Sequence, residues 1–404
     1  MKIRVPKANS VSFWLLASLL AAFTLEILVQ TTIINDSSFT KVIQYLLLFI
    51  PIFLCSLQVV FNNIIGKKSK KSEKLKFGYE LKRGIFLGIV FLLSTLWYSY
   101  SASRFSLNSI LEVFQITFPF IFTFVVINFL DRNNLHSFMK FALLIVCVGL
   151  LFDEGDKLLV FSNYIKVSIL NSYSPFENSI FPQFAAPLGV YFIYNMKKSP
   201  YMTALALFIN FLIFKRVLLI MLFLLFFFKL LNLDDRWAKL GKLTYIYAVF
   251  WFLIVSLTYY MYLPENSPHF ERLLNVDFAH FTVGRIYRFW YVHEQGFSSY
   301  GLGSAREFLF SRNLAYVGYD FELDFIKTMF EIGPIAVATY ILTMVKICRQ
   351  NLYALAVVNF YFLNFLMANG MYQYWSLIFI LITIACINYG SNLQVADDYN
   401  YESK

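Results

Sequence analysis

The chain has 404 residues, of which 59% are hydrophobic and only 14% are charged, and its mean hydropathy is +0.62. A soluble domain has roughly 25% charged residues, so the composition excludes an ordinary soluble protein. It predicts an all-α, polytopic membrane protein in which residues 1–404 form a single integral membrane domain. The net charge of +10 does not indicate nucleic-acid binding, because the basic residues fall between apolar runs, as they do in membrane proteins.

A spanning helix needs about 20 predominantly apolar residues, and the sequence accommodates about twelve of them, with a range of 10–12. The basic start MKIRVPK precedes an apolar run too long for a signal peptide, so we expect an uncleaved first helix. The predicted spans lie at about 11–33, 42–65, 84–101, 108–130, 137–152, 179–196, 201–214, 217–231, 243–263, 324–345, 352–367 and 371–389.

The basic residues predict the orientation of these helices. Most of the 34 Lys and Arg residues fall on one side, including six lysines in KKSKKSEKLK at 67–76. Short cytoplasmic loops carry such an excess of positive charge. Both termini are therefore predicted to be cytoplasmic, whereas the loop containing Arg104 and the long polar segment at 264–322 are predicted to lie outside.

The doublet Lys215-Arg216 interrupts two short apolar runs at 201–214 and 217–231. One interpretation is a tight hairpin whose tip places Arg216 at the outer face. The other is a single helix over 201–231, which would invert the topology and expose the basic segment at 234–242 outside, against the charge rule. We therefore favour the hairpin, in which Arg216 is either a snorkelling cation or a functional group at membrane depth.

The segment Pro264–Glu322 is the only long polar stretch in the second half of the chain, and we expect it to contain short helices. It has five arginines and no lysine, and the planar arginine fork suits phosphate oxygens. Arg285 and Arg288 are three residues apart, so a helix would project both from one face. The alternative is that the arginines pair with nearby glutamates. The arginines are Arg272, Arg285, Arg288, Arg306 and Arg312, and the glutamates are Glu271, Glu294 and Glu307.

Aromatic residues alternate with these arginines in the sequence GRIYRFWY. Tyr287, Trp290 and Tyr291 suit either stacking on sugar rings or anchoring at the membrane interface, as aromatic belts do. His280 and His293 are two candidate bases, although lone loop histidines are more often bystanders.

Carboxylates follow where the apolar sequence resumes. Asp324 and Glu331 are seven residues apart and share a helical face, and Glu322 lies just before them. A carboxylate there suits a general base acting on a sugar hydroxyl, or a structural partner of an arginine. No His, Cys, Asp or Glu set has metal-ligand spacing, and the four cysteines suggest no disulfide framework.

Four segments together resemble the polysaccharide polymerases and ligases of bacterial envelopes, in particular the O-antigen polymerases of the Wzy type. They are KRVLL at 215–219, GRIYRFW at 284–290, GLG at 301–303 and LDFIKTMFEIG at 323–333. The residues that match the family pattern are Arg216, then Arg285 and Trp290 at a spacing one residue longer than usual, then Gly301 and Gly303, and finally Glu331 and Gly333.

The resemblance implies transfer of a growing glycan from undecaprenyl diphosphate onto the next lipid-linked repeat unit, as in lipopolysaccharide biosynthesis. The reaction is that of a glycosyltransferase-type polymerase without metal or cofactor, at the outer side of the cell inner (cytoplasmic) membrane. Catalysis would involve Glu322, Asp324 and Arg285. Substrate and diphosphate binding would involve Arg216, Lys215, Arg285, Arg288, Arg306, Tyr287 and Trp290.

Two rival functions stay open. The related ligases carry a His-Asn pair nine residues before the glutamate, and Glu322-Leu323 occupies that position here, which favours a polymerase. A flippase for lipid-linked oligosaccharides has a similar length but evenly spaced helices. The expected partners are the lipid-linked oligosaccharide, membrane lipids, a chain-length regulator and a flippase, and no nucleic acid.

Overall fold

A computed structural model of the chain describes residues 8–35, 37–65, 76–166, 175–176, 180–213, 215–232, 243–312, 322–349 and 351–389. Within these ranges the regular secondary structure is helical and contains no strand, which confirms the predicted all-α class. Most of the lysine-rich run at 67–76, the basic segment at 234–242 and both termini, on which the predicted orientation depends, lie outside the described residues.

Eighteen helices follow one another along the described residues. They are α1 (Ala8–Gln30), α2 (Ser38–Ile65), α3 (Gly78–Ser101), α4 (Leu107–Phe129), α5 (Arg132–Leu158), α6 (Phe161–Ile165), α7 (Pro182–Tyr194), α8 (Pro200–Ile213), α9 (Arg216–Leu230), α10 (Leu243–Tyr262), α11 (Ser267–Leu274), α12 (Phe278–Phe281), α13 (Ile286–Glu294), α14 (Ser304–Ser311), α15 (Asp324–Ile332), α16 (Pro334–Cys348), α17 (Leu352–Met367) and α18 (Tyr374–Tyr389).

Five described helices, α1, α3, α4, α5 and α10, are long and apolar enough to cross a membrane. A helix of 20 residues is about 30 Å long, which matches the hydrocarbon core of a bilayer. Shorter apolar helices accompany them, among them α8, α16, α17 and α18. The chain is therefore an all-helical, membrane-embedded protein, and the number of twelve spans stays a prediction.

The predicted span at 324–345 is not one continuous helix, because the chain breaks at Gly333 between α15 and α16. Gly333 has a φ of +83°, a left-handed conformation that glycine adopts without a side-chain clash. A Cβ atom at this position would lie 2.9 Å from the hydroxyl oxygen of Tyr98. Pro334 follows as the first residue of α16, where its missing N–H costs no helical hydrogen bond.

The Lys215-Arg216 doublet separates two helices, as the hairpin interpretation predicted. Helix α8 ends at Ile213, helix α9 begins at Arg216, and Lys215 has an extended backbone with φ −90° and ψ 105°. Both helices pack against α7. A continuous helix over 201–231 is therefore excluded.

The chain divides into two compact units, each built from distant parts of the sequence. The first unit comprises Met1–Gly78, Ile121–Leu231 and Ile378–Lys404, and in it α1 packs on α2 and α5 while α7 packs on α5, α8 and α9. The second unit comprises Tyr79–Phe120 and Asn232–Leu377, and in it α16 packs on α10, α15 and α17. Because the segments alternate, no single cut in the sequence separates the units.

The polar segment at 264–322 belongs to the second unit and contains the four short helices α11–α14, as predicted. These helices have an apolar core of their own, which includes Ile286, Phe289 and Leu309, all fully buried. Phe289 also packs on Tyr259 near the end of α10, with ring centroids 5.7 Å apart. The segment is thus a folded cap on α10 and α15 rather than an open loop.

Candidate functional site

Arg285, Arg288 and Glu322 form a cluster at the start of α13, which we call the arginine cluster. Arg285 Nε donates a hydrogen bond to Glu322 Oε2, and Arg288 Nη1 lies 3.8 Å from Glu322 Oε1. The three side chains are 20%, 22% and 21% exposed. The structure therefore brings both arginines to one face, as their spacing predicted, and their shared carboxylate is Glu322.

Backbone oxygens fix the Arg285 side chain from a second direction. Arg285 Nη1 donates to the carbonyl oxygens of Thr282 at 3.3 Å and of Met367 at 3.4 Å. Val283 and Gly284 have left-handed φ values of 54° and 76°, which turn the chain from α12 into α13. The turn and these acceptors hold the guanidinium in place before any ligand arrives.

Trp290 and Tyr287 on α13 have different surroundings. Trp290 Nε1 donates to the carbonyl oxygen of Tyr262 at 2.8 Å, which fastens α13 to the last residue of α10. Tyr287 is 55% exposed and meets the Trp290 ring edge-on, with the centroids 5.6 Å apart. Trp290 therefore acts as an anchor, whereas the Tyr287 ring stays open to a ligand.

Asp324 is buried at the first residue of α15, with 2% of its surface exposed. Its Oδ2 accepts a hydrogen bond of 2.6 Å from the backbone N–H of Met371, and its own N–H donates to the Ala368 carbonyl at 3.2 Å. These bonds fix the connection between α17 and α18. Of the two predicted catalytic carboxylates, Glu322 is the one at the surface.

Glu331 is fully buried and binds backbone rather than an arginine. It accepts hydrogen bonds from the N–H groups of Gly303 at 2.7 Å and Ala305 at 2.8 Å. Both groups lie at the N-terminal end of α14, where the helix dipole favours a carboxylate. Glu331 thus joins α15 to the turn at 301–303 and has a structural role.

Sequence reasoning missed the ion pair between Lys327 and Glu112. Lys327 Nζ lies 2.8 Å from Glu112 Oε2, and the two side chains are only 6% and 13% exposed. The ammonium also lies 4.3 Å from the centre of the Tyr372 ring. The available signal was Glu112 itself, because a lone carboxylate in a long apolar helix marks a site that needs a partner.

Glu307 fastens the connection between α3 and α4 to α14. It accepts hydrogen bonds from Asn108 Nδ2 at 2.9 Å and from the hydroxyls of Ser106 and Tyr300. Burial raises the pKa of Glu307, but these hydrogen bonds and nearby Arg104 outweigh it and hold the pKa below its ordinary value. Because Glu307 is ionised and engaged here, it is not the partner of the arginine cluster.

The remaining predicted site residues lie elsewhere in the described chain. Arg306 is exposed on α14 in the second unit. Lys215 and Arg216 belong to the first unit, where Arg216 is exposed at the start of α9 and Lys215 is half-buried. The second unit by itself therefore assembles Arg285, Arg288 and Glu322, with Tyr287 and Trp290 on the same helix as Arg288.

Among the residues that the structure describes, no group of three or more His, Cys, Asp or Glu side chains is placed to hold a metal ion. No family model matches the chain, and no curated protein or solved structure is significantly similar to it.

Proposed function

We propose that the protein is a polysaccharide polymerase that joins oligosaccharide repeat units linked to undecaprenyl diphosphate at the outer side of the cytoplasmic membrane. The observation that carries this proposal is the pair of arginine forks, Arg285 and Arg288, sharing one partly exposed carboxylate. Two adjacent forks suit the two phosphates of a diphosphate. The resemblance to O-antigen polymerases supplies the substrate class.

The diphosphate binds by replacing Glu322 as the partner of the two arginines. Arg285 stays in position during this exchange because the carbonyl oxygens of Thr282 and Met367 also hold its guanidinium. The exchange replaces one anionic partner of the arginines with another, so both guanidinium groups keep a counter-charge. As the bond between the sugar and the diphosphate breaks, the arginines stabilise the negative charge that develops on the departing diphosphate.

Displacement frees the Glu322 carboxylate to act as a general base. The hydroxyl oxygen of the acceptor sugar forms the new bond to the anomeric carbon of the donor glycan. The bond between that carbon and the diphosphate oxygen breaks, and the hydroxyl proton goes to Glu322. Tyr287, Lys215, Arg216 and Arg306 remain expected binding residues for the lipid-linked substrate.

Deletion of the gene that encodes the protein, followed by gel analysis of the surface polysaccharide, tests the reaction class. Loss of a polymerase leaves surface glycans of a single repeat unit. Free lipid-linked polymer would instead indicate a ligase, and accumulation of lipid-linked units inside the cell would indicate a flippase.

Complementation of the deletion with Arg285→Ala tests the arginine cluster itself. We expect the variant to reach the membrane and to produce glycans of a single repeat unit, because one diphosphate partner is lost. Arg312→Ala is the matched control, since Arg312 is exposed in the same segment and only covers the Phe308 ring at 5.1 Å. Long polymer from the Arg285→Ala strain contradicts the diphosphate role.

A further inference from the structure

Large apolar side chains are exposed along one short stretch of the second unit, from the end of α11 to the first turn of α13. They are 36% to 67% exposed. In the rest of the described part of 264–312, Phe310 is the one other large apolar side chain exposed to this degree. We call this stretch the apolar strip, and its residues are Leu273, Leu274, Val276, Phe281, Val283 and Tyr287.

The apolar strip is attached to the end of α10. The buried Phe278, between the two halves of the strip, packs on Tyr262 with ring centroids 5.1 Å apart. Phe270 on α11 meets Tyr260 edge-on at 6.0 Å. The strip is therefore held next to the last turn of a helix that is long and apolar enough to cross the membrane.

The length of α10 sets the depth of this attachment. Its 20 residues span about 30 Å, which equals the thickness of the hydrocarbon core. The tyrosines at its end, Tyr259, Tyr260 and Tyr262, are the residues that concentrate at membrane interfaces. Elements packed directly on these tyrosines therefore lie beside the end of a helix of spanning length.

Cationic side chains border the strip. Arg272 is exposed immediately before Leu273, and Arg285 and Arg288 lie on either side of Tyr287. Apolar residues bordered by arginines are the pattern of interfacial elements, which bury apolar side chains among acyl chains and keep cations level with lipid phosphates. A soluble surface has no reason to expose six large apolar side chains in so short a stretch.

We propose that the apolar strip docks on the phospholipid leaflet and lies at the boundary between its headgroups and acyl chains. Its occupant is membrane lipid, because the strip is attached to the end of α10, a helix of spanning length whose exposed side chains are largely apolar. The docked strip places the arginine cluster level with lipid phosphates. This last consequence rests on the proposed function, since a polyprenyl diphosphate presents its charge at the level of the lipid phosphates.

Spin labelling in phospholipid nanodiscs tests the docking directly. Nitroxides are placed on Leu273→Cys, Val276→Cys and Val283→Cys. The four native cysteines are replaced in this chain, namely Cys55, Cys147, Cys348 and Cys386. Where that replacement prevents folding, the labels are placed in the native chain with the unmodified protein as the blank. Gln295→Cys, which is exposed and polar in the same segment, is the control.

We expect the ratio of collisions with oxygen to collisions with a water-soluble nickel chelate to be several-fold higher at the three strip positions than at Gln295. Equal ratios at all four positions show that the strip faces water, and they overturn the proposal. Low collision rates with both reagents show that protein covers the strip, and they overturn it as well. The readout needs no activity, so its failure is distinguishable from failure of the proposed function.

Discussion

At the scale of single residues, the Lys327–Glu112 ion pair of the second unit has a large desolvation cost. Transfer of each ion from water costs several kcal/mol, and both side chains are nearly buried. The close contact of 2.8 Å and the Tyr372 ring beside the ammonium compensate for this cost. Loss of Glu112 removes the closest anionic partner of the Lys327 ammonium, which stays buried.

We therefore expect Glu112→Gln to destabilise the protein by about 3–5 kcal/mol, the usual effect of breaking a buried ion pair. Thermal unfolding of the detergent-purified protein measures this as a lower midpoint. Glu294→Gln is the control, because it makes the same change at an exposed position of the same unit. Equal midpoints for the two variants contradict a structural role for the pair.

The sequence could predict a candidate site residue only where the signal was local. Arg285 and Arg288 are three residues apart, so helical periodicity alone placed them on one face. Glu112 lies 215 residues from Lys327, and nothing in either segment identifies the other as its partner. The hydrogen bond that anchors Trp290 could not be predicted for the same reason, since its acceptor is a backbone oxygen on another helix.

At the scale of helices, connections assigned to the same side by the charge rule lie together in the second unit. The α3–α4 connection meets the 264–322 segment, where the Ser106 hydroxyl donates to Glu307 Oε1. The α17–α18 connection joins them through Arg285 and the Met367 carbonyl. At the far ends of α10 and α16, Lys346 lies 4.5 Å from the centre of the Tyr245 ring.

This grouping bears on the Lys215-Arg216 doublet. The α3–α4 connection and the 264–322 segment are in contact, so we expect an even number of membrane crossings in the chain between them. Two short spans at α8 and α9 satisfy this condition with the other predicted spans. One long helix over 201–231 would leave an odd number, so the contacts agree with the hairpin.

We expect a cysteine at Gln295 to be labelled from outside intact cells by an impermeant thiol reagent, because the charge rule places this end outside. Gln295 is preferable to Ser299, whose hydroxyl is half-buried and donates to the Glu331 carbonyl at 2.6 Å. Tyr245→Cys, exposed at the opposite end, is expected to react only after lysis. The reverse labelling pattern contradicts the orientation.

The helices themselves were largely predictable because apolar runs of spanning length have few other solutions in a membrane. The predicted span at 352–367 coincides with α17 (Leu352–Met367). The break at Gly333 was missed because apolar residues continue on both sides of it. The Gly333-Pro334 dipeptide was the available signal, since such pairs punctuate helices.

At the scale of the whole molecule, one unit contains the two arginines and the carboxylate that carry the proposed reaction chemistry. The second unit holds the arginine cluster, the buried network of Glu112, Lys327 and Glu331, and the apolar strip. The buried network fixes the GLG turn and α15, which leads back to Glu322. In this account a rigid, buried polar core supports a partly exposed cluster that faces lipid-linked substrate.

The most direct measurement of the central claim uses the purified protein in nanodiscs with undecaprenyl-diphosphate-linked repeat units as the sole glycan substrate. We expect a ladder of products containing two or more repeat units, formed without added metal or cofactor. Arg285→Ala should reduce the products to the single unit, whereas Arg312→Ala should retain the ladder. A wild-type protein that leaves the repeat units unjoined, or a full ladder from Arg285→Ala, contradicts the account.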